Sequence, residues 1–135
     1  MARETKPVAA ATKDASFKLP SAKELMQKQI ELFADEAGGG FYFTSSDHEA
    51  LLARGKEIVD TAVPSGNSVS AHNLIRLADS DSSTDYRLRA DKTIRASAAV
   101  LESNPSAAPR MAAAVPALIA ARQKSLAENL NKAEK

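Results

Sequence analysis

The segment with the clearest chemical potential is Pro64-Ser65-Gly66-Asn67-Ser68, which leads directly into a helical pattern. Pro64 restricts φ, Gly66 permits a left-handed backbone, and the other three side chains form hydrogen bonds. One interpretation is a ligand site, in which backbone amides and these side chains bind an oxygen-rich group at the positive end of a helix. The other is a helix N-cap alone, with Asn67 or Ser68 as the cap. Residue types by themselves favour the cap, because caps of this composition are common.

A second polar group, Asp47-His48-Glu49, combines two carboxylates with an imidazole. Such residues transfer protons or ligate a metal ion. Because adjacent residues on a strand or helix point in different directions, they rarely converge on one ion, and a solvated turn is the favoured interpretation. Farther along, Ser68 and His72 are one helical turn apart, so we expect them to share a face.

Arg54, Lys56 and Asp60 lie at even spacing. On a strand they share one face and can clamp an anionic group, or they form a surface ion-pair row that contributes little. The sequence lacks a P-loop, a Gly-x-Ser-x-Gly elbow and a His-Glu-x-x-His motif. It therefore identifies no particular catalytic residue, and we predict no metal site and no cofactor. The candidate ligand-binding residues are Asp47, His48, Arg54, Lys56, Asp60, Ser65, Asn67 and Ser68.

Composition narrows the class of protein. The chain has 135 residues, enough for one domain. Apolar residues make up 44% of it, but many are alanines, and the aromatic residues are two tyrosines and four phenylalanines with no tryptophan. Because alanine buries little area, we expect a thin core. A formal charge of +1 gives no electrostatic footprint for nucleic acid or an anionic membrane. The absence of cysteine excludes disulfides and fits a cytoplasmic location, and no stretch is long enough to span a membrane.

The elements that must position these residues are mainly helical. Residues 1–20 lack periodicity and predict a disordered tail. Ser21 and Glu24 form a capping box for a first helix over about 22–35, which Gly38-Gly39-Gly40 ends. Phe41-Tyr42-Phe43-Thr44 has strand propensity. After it, either Asp47 caps a helix over residues 48–54 or residues 50–59 form a returning strand.

Three more helices follow from apolar residues at helical spacing. The second begins after the Pro64–Ser68 turn, the third covers about 84–101, and the fourth starts near Pro109 and contains Pro116, which we expect to kink it. Residues 121–135 predict a polar helical tail. The residues of the predicted buried stripes are Ala71, Leu74, Ile75, Ala78, Tyr86, Ala90, Ile94, Ser97, Leu101, Met111, Val115, Leu118, Ile119 and Leu126.

The segment "LFADEAGGGFYFTSSDHEALLARGKEIVDTAVPSGNSVSAHNLIRLA" resembles the C-terminal part of the thioredoxin-domain-containing YyaL family, relatives of the spermatogenesis-associated thioredoxin-like proteins. The resemblance covers about residues 22–119. The matching positions are Asp35, Gly38–Gly40, Phe41–Thr44, Asp47–Glu49, Arg54, Lys56, Asp60, Ala62 and Pro64–Ser68.

This resemblance implies an α/α toroid of helical hairpins, similar to N-acylglucosamine 2-epimerase and six-hairpin glycosidases, with sugar chemistry by fold analogy. It favours a β-hairpin over residues 41–59. It predicts that residues 21–120 form two hairpins of an incomplete toroid, with most of the toroid and the thioredoxin-like domain absent. Two hairpins leave apolar flanks uncovered, so we expect self-association or docking on a partner chain.

Three functions follow from these expectations. The first is a truncated family member without independent activity, acting as a helical interaction module. The second is an epimerase-like or hydrolase-like carbohydrate enzyme that works only as an oligomer or with a partner chain. The third is a small module that binds a hydroxylated or anionic ligand at the Pro64–Ser68 turn.

Overall fold

The computed structural model describes residues 19–47 and 53–134. Its helices are α1 (Ala22–Phe33), α2 (Gly66–Asp81), α3 (Thr84–Ala96), α4 (Ala98–Ser103) and α5 (Pro109–Ala133), with a short 3-10 turn at Pro105–Ala107. The prediction of a mainly helical chain is confirmed, with five α-helices in the described part of the chain where about four were expected. None of these helices is long and apolar enough to cross a membrane.

Local sequence signals start the helices. The Ser21–Glu24 capping box is confirmed, since the Glu24 N–H donates to Ser21 Oγ and the Ser21 N–H donates to Glu24 Oε2. Pro109 lies in the first turn of α5, where its missing N–H has no intrahelical partner to lose. Pro116 lies within α5, which continues as one helix to Ala133. The fourth helix and the polar end are therefore one continuous element.

The prediction of one third helix over about 84–101 is wrong at its end, because the helix breaks at Ser97 into α3 and α4. The Ser97 N–H donates to the Ile94 carbonyl three residues back, and Ser97 Oγ donates to the Thr93 carbonyl. Ser97 therefore tightens the backbone and its side chain competes for a helical acceptor, which interrupts regular α-geometry.

The core lies between α2, α3 and α5, with α1 packed on its side. Most of the predicted stripe residues are buried. They are Ala71, Leu74, Ile75 and Ala78 of α2, Tyr86, Ala90 and Ile94 of α3, Ser97 at the break before α4, and Met111 and Leu118 of α5. Two predicted core residues of α5 are wrong, since Ile119 is 50% exposed and Leu126 is 63% exposed. Many of the buried side chains are alanines, so the helices pack closely with little apolar area each.

The predicted β-hairpin is not present as strands in the parts of the chain that the structure describes. Ala34 and Phe41 form an isolated antiparallel bridge, and the Phe43 N–H donates to the Gly55 carbonyl over 2.8 Å. Residues 53–60 form neither a helix nor a strand, and their side chains alternate between exposed and half-buried. The middle of the predicted hairpin, residues 48–52, lies outside the described residues.

Candidate functional site

The Pro64–Ser68 turn starts α2, and Ser65 is its N-cap. The prediction that Asn67 or Ser68 provides the cap is wrong, because Ser65 Oγ accepts the hydrogen bond from the Ser68 N–H over 3.2 Å. Ser65 has the extended backbone that an N-cap requires, while Asn67 and Ser68 are already inside the first helical turn. The cap of α2 therefore comes from Ser65, which precedes the first helical turn.

Asp60 joins the beginnings of two helices. Its Oδ1 accepts hydrogen bonds from the Ser65 N–H and the Ser68 hydroxyl, each 2.8 Å long, and its Oδ2 accepts one from the Arg110 N–H of α5 over 2.8 Å. The Asp60 N–H donates to the Ala107 carbonyl beside the same helix. Both carboxylate oxygens are thus engaged by donors of the protein itself.

The hydrogen bonds decide the protonation of this carboxyl. Burial acts to raise the pKa of Asp60, but the donors from Ser65, Ser68 and Arg110 outweigh burial, so the pKa lies below its usual value. Asp60 is therefore a carboxylate at neutral pH, placed at the positive ends of α2 and α5 where a negative charge is stabilised.

Asn67 pairs with the backbone of a distant segment. Its Oδ1 accepts from the Phe41 N–H over 2.8 Å, and its Nδ2 donates to the Phe41 carbonyl over 2.9 Å and to the Glu57 carbonyl over 2.8 Å. The amide thereby takes the place of a neighbouring strand for Phe41. Asn67 is 4% exposed, so these three bonds lie away from water and fix two connecting segments onto α2.

Lys56 and Asp35 form a partly buried ion pair. The Lys56 Nζ lies 2.6 Å from Asp35 Oδ2 and also donates to the Gly39 carbonyl over 2.6 Å. Asp35 Oδ1 accepts from the N–H groups of Ala37 and Gly38. The Gly38 N–H, and next the Lys56 ammonium, lower the pKa of the Asp35 carboxyl well below its usual value.

Two glycines allow this turn to lie against the helices. Gly39 and Gly40 have φ values of 76° and 75°, in the left-handed region. A Cβ on Gly39 would lie 2.6 Å from the Lys92 carbonyl oxygen of α3, and a Cβ on Gly40 would lie 2.8 Å from Asn67 Oδ1. The close approach of the turn to α3 at Gly39 and to α2 at Gly40 therefore requires glycine.

We expected Arg54, Lys56 and Asp60 to share one face of a strand, but residues 53–60 form no strand. Arg54 and Lys56 are both half-buried, and both contact Tyr42. The Arg54 Cζ lies 4.2 Å from the centroid of the Tyr42 ring and the Lys56 Nζ lies 5.2 Å from it. Arg54 Nη2 also donates to the carbonyls of Leu32 and Thr44. The expected anion clamp therefore has both cations engaged with the protein itself, and Asp60 lies apart at the α2–α5 junction.

The remaining candidate residues are dispersed. Asp47 lies in an exposed turn and its Oδ1 accepts from Ser45 Oγ, while His48 and Glu49 lie outside the described residues. His72 Nε2 forms a hydrogen bond of 3.0 Å with the Arg110 carbonyl. The Ser68 hydroxyl instead lies 2.8 Å from Ser65 Oγ. Within the described ranges, no cluster of three acidic or histidine side chains could hold a metal ion.

The candidate site residues chosen from the sequence did not include Asp35 and Tyr42, although both contact Lys56 in the structure. Asp35 had a signal, since an aspartate followed by glycines within three residues favours a turn in which the carboxylate accepts backbone N–H groups. Tyr42 had no such signal, because its two cations come from a segment that meets it only after folding.

An open cleft lies beside the start of α2. It encloses about 360 Å³ and is lined by four aromatic side chains, one carboxylate, two amide side chains and one glycine. Phe43 at its edge is 74% exposed. The lining residues are Gln29, Phe33, Phe41, Tyr42, Phe43, Glu57, Gly66 and Asn67.

Comparison with known proteins supports part of the sequence resemblance. The chain is similar to spermatogenesis-associated protein 20. It is 47% identical to the Homo sapiens protein over 57 residues, which are 42% of this chain, and 44% identical to the Mus musculus protein over 68 residues, which are 50% of it. It is 32% identical over 78 residues, 58% of the chain, to an uncharacterised protein of Caenorhabditis elegans.

The chain corresponds to a small part of these relatives, covering 7%, 8% and 11% of their lengths respectively. No protein-family model matches the chain. No solved structure matches it. The relation to spermatogenesis-associated protein 20 therefore holds for a segment of the chain, and the toroid implied by the resemblance stays a prediction.

Proposed function

We propose that this chain is a non-catalytic helical module, related to a segment of the spermatogenesis-associated protein 20 proteins, which acts by packing its helices against other helices. One observation carries the proposal: Ser65, Asn67, Ser68 and Asp60 all direct their side chains to partners within the protein. In this proposal the turn that resembles a ligand site is a structural junction that holds α2, α5 and residues 53–60 together.

The surface of the helices supports the same function. Leu25 of α1, Leu88 of α3 and Leu130 of α5 are 57%, 55% and 68% exposed. A helical segment that matches less than an eighth of its relatives' length, with large apolar side chains at its surface, is suited to lie among neighbouring helices. We propose the incomplete α/α toroid, with its epimerase-like relatives, as the architecture of those neighbours.

A second candidate function is binding of a hydroxylated ligand in the aromatic cleft. The cleft concentrates Phe33, Phe41, Tyr42 and Phe43 in one place, and Glu57 and Gln29 add polar groups. An aromatic face with a few polar groups at its edge is typical of small-molecule sites. In this alternative the ligand would lie against the aromatic rings, and Gly66 and Asn67 would be the residues of the Pro64–Ser68 turn beside it.

Thermal melting with a panel of sugars and anions separates these functions. The non-catalytic module predicts unchanged melting temperatures with every ligand. A saturable rise in melting temperature that is lost in Phe43→Ala, whose ring is largely exposed, would replace the first proposal with the second. Ala37→Gly, in an exposed position of the neighbouring turn, serves as a control for nonspecific effects.

A further inference from the structure

The aromatic cleft beside the start of α2 has one charged side chain among the lining residues that the structure describes, Glu57. Glu57 is exposed, and within the described ranges its carboxylate accepts no hydrogen bond and forms no ion pair. Its backbone carbonyl, by contrast, accepts a hydrogen bond of 2.8 Å from Asn67 Nδ2. The backbone therefore fixes Glu57 beside the cleft, while its negative charge is available to a ligand.

The amide side chains of the lining have most of their donors in use. Both hydrogens of Asn67 Nδ2 are bound, one by the Phe41 carbonyl and one by the Glu57 carbonyl. Gln29 Nε2 donates to Ser70 Oγ over 2.6 Å. The polar groups that the cleft offers to a ligand are therefore mainly acceptor oxygens, those of the Glu57 carboxylate and Gln29 Oε1. Such a lining suits a group that carries positive charge.

The aromatic rings of the cleft favour the same kind of ligand, because the face of an aromatic ring is negative and attracts a cation that lies near it. The protein already uses this attraction at Tyr42, whose ring centroid lies 4.2 Å from Arg54 Cζ and 5.2 Å from Lys56 Nζ. Neither of these cations lines the cleft, and Asp35 neutralises the charge of Lys56 over 2.6 Å. Phe43 is 74% exposed, so its ring is accessible from solvent.

We propose that this cleft binds a small organic ammonium ion, with its alkyl groups against the rings of Phe33 and Phe43 and its charge toward Glu57. Aromatic faces are a general means of binding quaternary ammonium groups. The volume of about 360 Å³ lies within the range of small-molecule sites. The positive end of α2 near Gly66 is balanced by the Asp60 carboxylate, which accepts from the Ser65 N–H. A hydroxylated ligand would use the rings and oxygens of the cleft but not its negative charge.

Choline and its neutral carbon analogue, 3,3-dimethyl-1-butanol, test the charge, because the two molecules share a shape and one hydroxyl and differ in the central atom. Proton NMR of their methyl groups, titrated with the unmodified chain, should give a saturable upfield shift with choline as the methyl groups meet the ring faces. The neutral analogue should bind roughly fivefold more weakly, since only the cation is attracted by the rings and Glu57. Equal affinities, or no saturable choline shift, overturn the proposal.

Two exposed positions of the cleft allow the site itself to be tested without disturbing the core. Glu57→Gln should weaken choline binding roughly fivefold and leave the neutral analogue unaffected. Glu102→Gln, which removes an exposed carboxylate of α4, should bind choline like the unmodified chain. Phe43→Leu keeps an apolar side chain but removes the ring, so it should weaken choline binding, whereas Phe43→Tyr should retain it. Circular dichroism should show equal helix content throughout, and choline binding that Glu57→Gln or Phe43→Leu leaves unchanged contradicts the assigned site.

A methyl glucoside in the same titration separates this inference from the proposed function. Choline binding without sugar binding supports the ammonium site and leaves the non-catalytic helical module intact, since a chain that packs among helices can also hold an ammonium ion in this cleft. A sugar that binds as tightly as choline makes the cleft a site for hydroxylated ligands and rejects both proposals. No choline binding, together with melting curves that sugars and anions leave unchanged, rejects the ammonium site alone.

Discussion

Replacing Asn67 by alanine removes the connection between α2 and two distant backbone segments. The substitution leaves the Phe41 N–H, the Phe41 carbonyl and the Glu57 carbonyl without the partners they have at 2.8, 2.9 and 2.8 Å. Each hydrogen bond contributes about 0.5–1.5 kcal/mol net, so the three together predict a loss of about 1.5–4.5 kcal/mol in the free energy of unfolding. A helix cap alone would account for about 1 kcal/mol.

Urea denaturation followed by circular dichroism measures this loss from the shift in midpoint at constant slope. Asn73→Ala is the matched control, because Asn73 is an exposed asparagine on the same helix. Asn67→Asp should be at least as destabilising as Asn67→Ala, since a carboxylate cannot donate and would face two carbonyl oxygens. The interpretation fails if Asn67→Ala costs no more than Asn73→Ala, and in that case the amide is available to a ligand.

The remaining predictions concern the same junction and α5. Gly40→Ala should lower the free energy of unfolding in urea by more than 1 kcal/mol, about the usual cost of a poor backbone position. Gly66→Ala should change stability little, because nothing lies within 4 Å of the added Cβ. Equal effects of the two substitutions would contradict the close packing at Gly40. The pKa values of Asp35 and Asp60 are lowered in the folded state. Their contribution to the free energy of unfolding is therefore complete above the unfolded pKa of about 3.9, and it should be lost progressively as the pH falls below that value. Acid titration of the melting temperature measures that loss, and a Tm independent of pH between about 5 and 2 would refute it. Pro116→Ala should stabilise the chain by about 1–3 kcal/mol, since it restores a helical N–H inside α5; an unchanged urea midpoint would show that the helix already accommodates the proline.

The helices could be predicted from the sequence because their signals are local. The Ser21–Glu24 capping box and the Ala71–Leu74–Ile75–Ala78 stripe depend only on residues within one or two turns of each other, and both have the expected structure. The α5 residues Ile119 and Leu126 show the limit of the same reasoning. Ile119 lies on a side of α5 that no helix of the described chain covers, while Leu118 and Ala121 near it are buried, and Leu126 lies beyond the last buried residue, Ala121.

The candidate site also combines features that the local sequence determines with contacts that only the folded chain determines. The Pro64–Ser68 turn could be recognised as the start of a helix from residue types alone, because φ restriction and capping are properties of the local chain. Its partners could not, since Asn67 bonds to a residue 26 positions away and Asp60 bonds to one 50 positions away. A polar side chain suits a ligand and a distant backbone group equally well, and only the folded chain decides which of the two it meets.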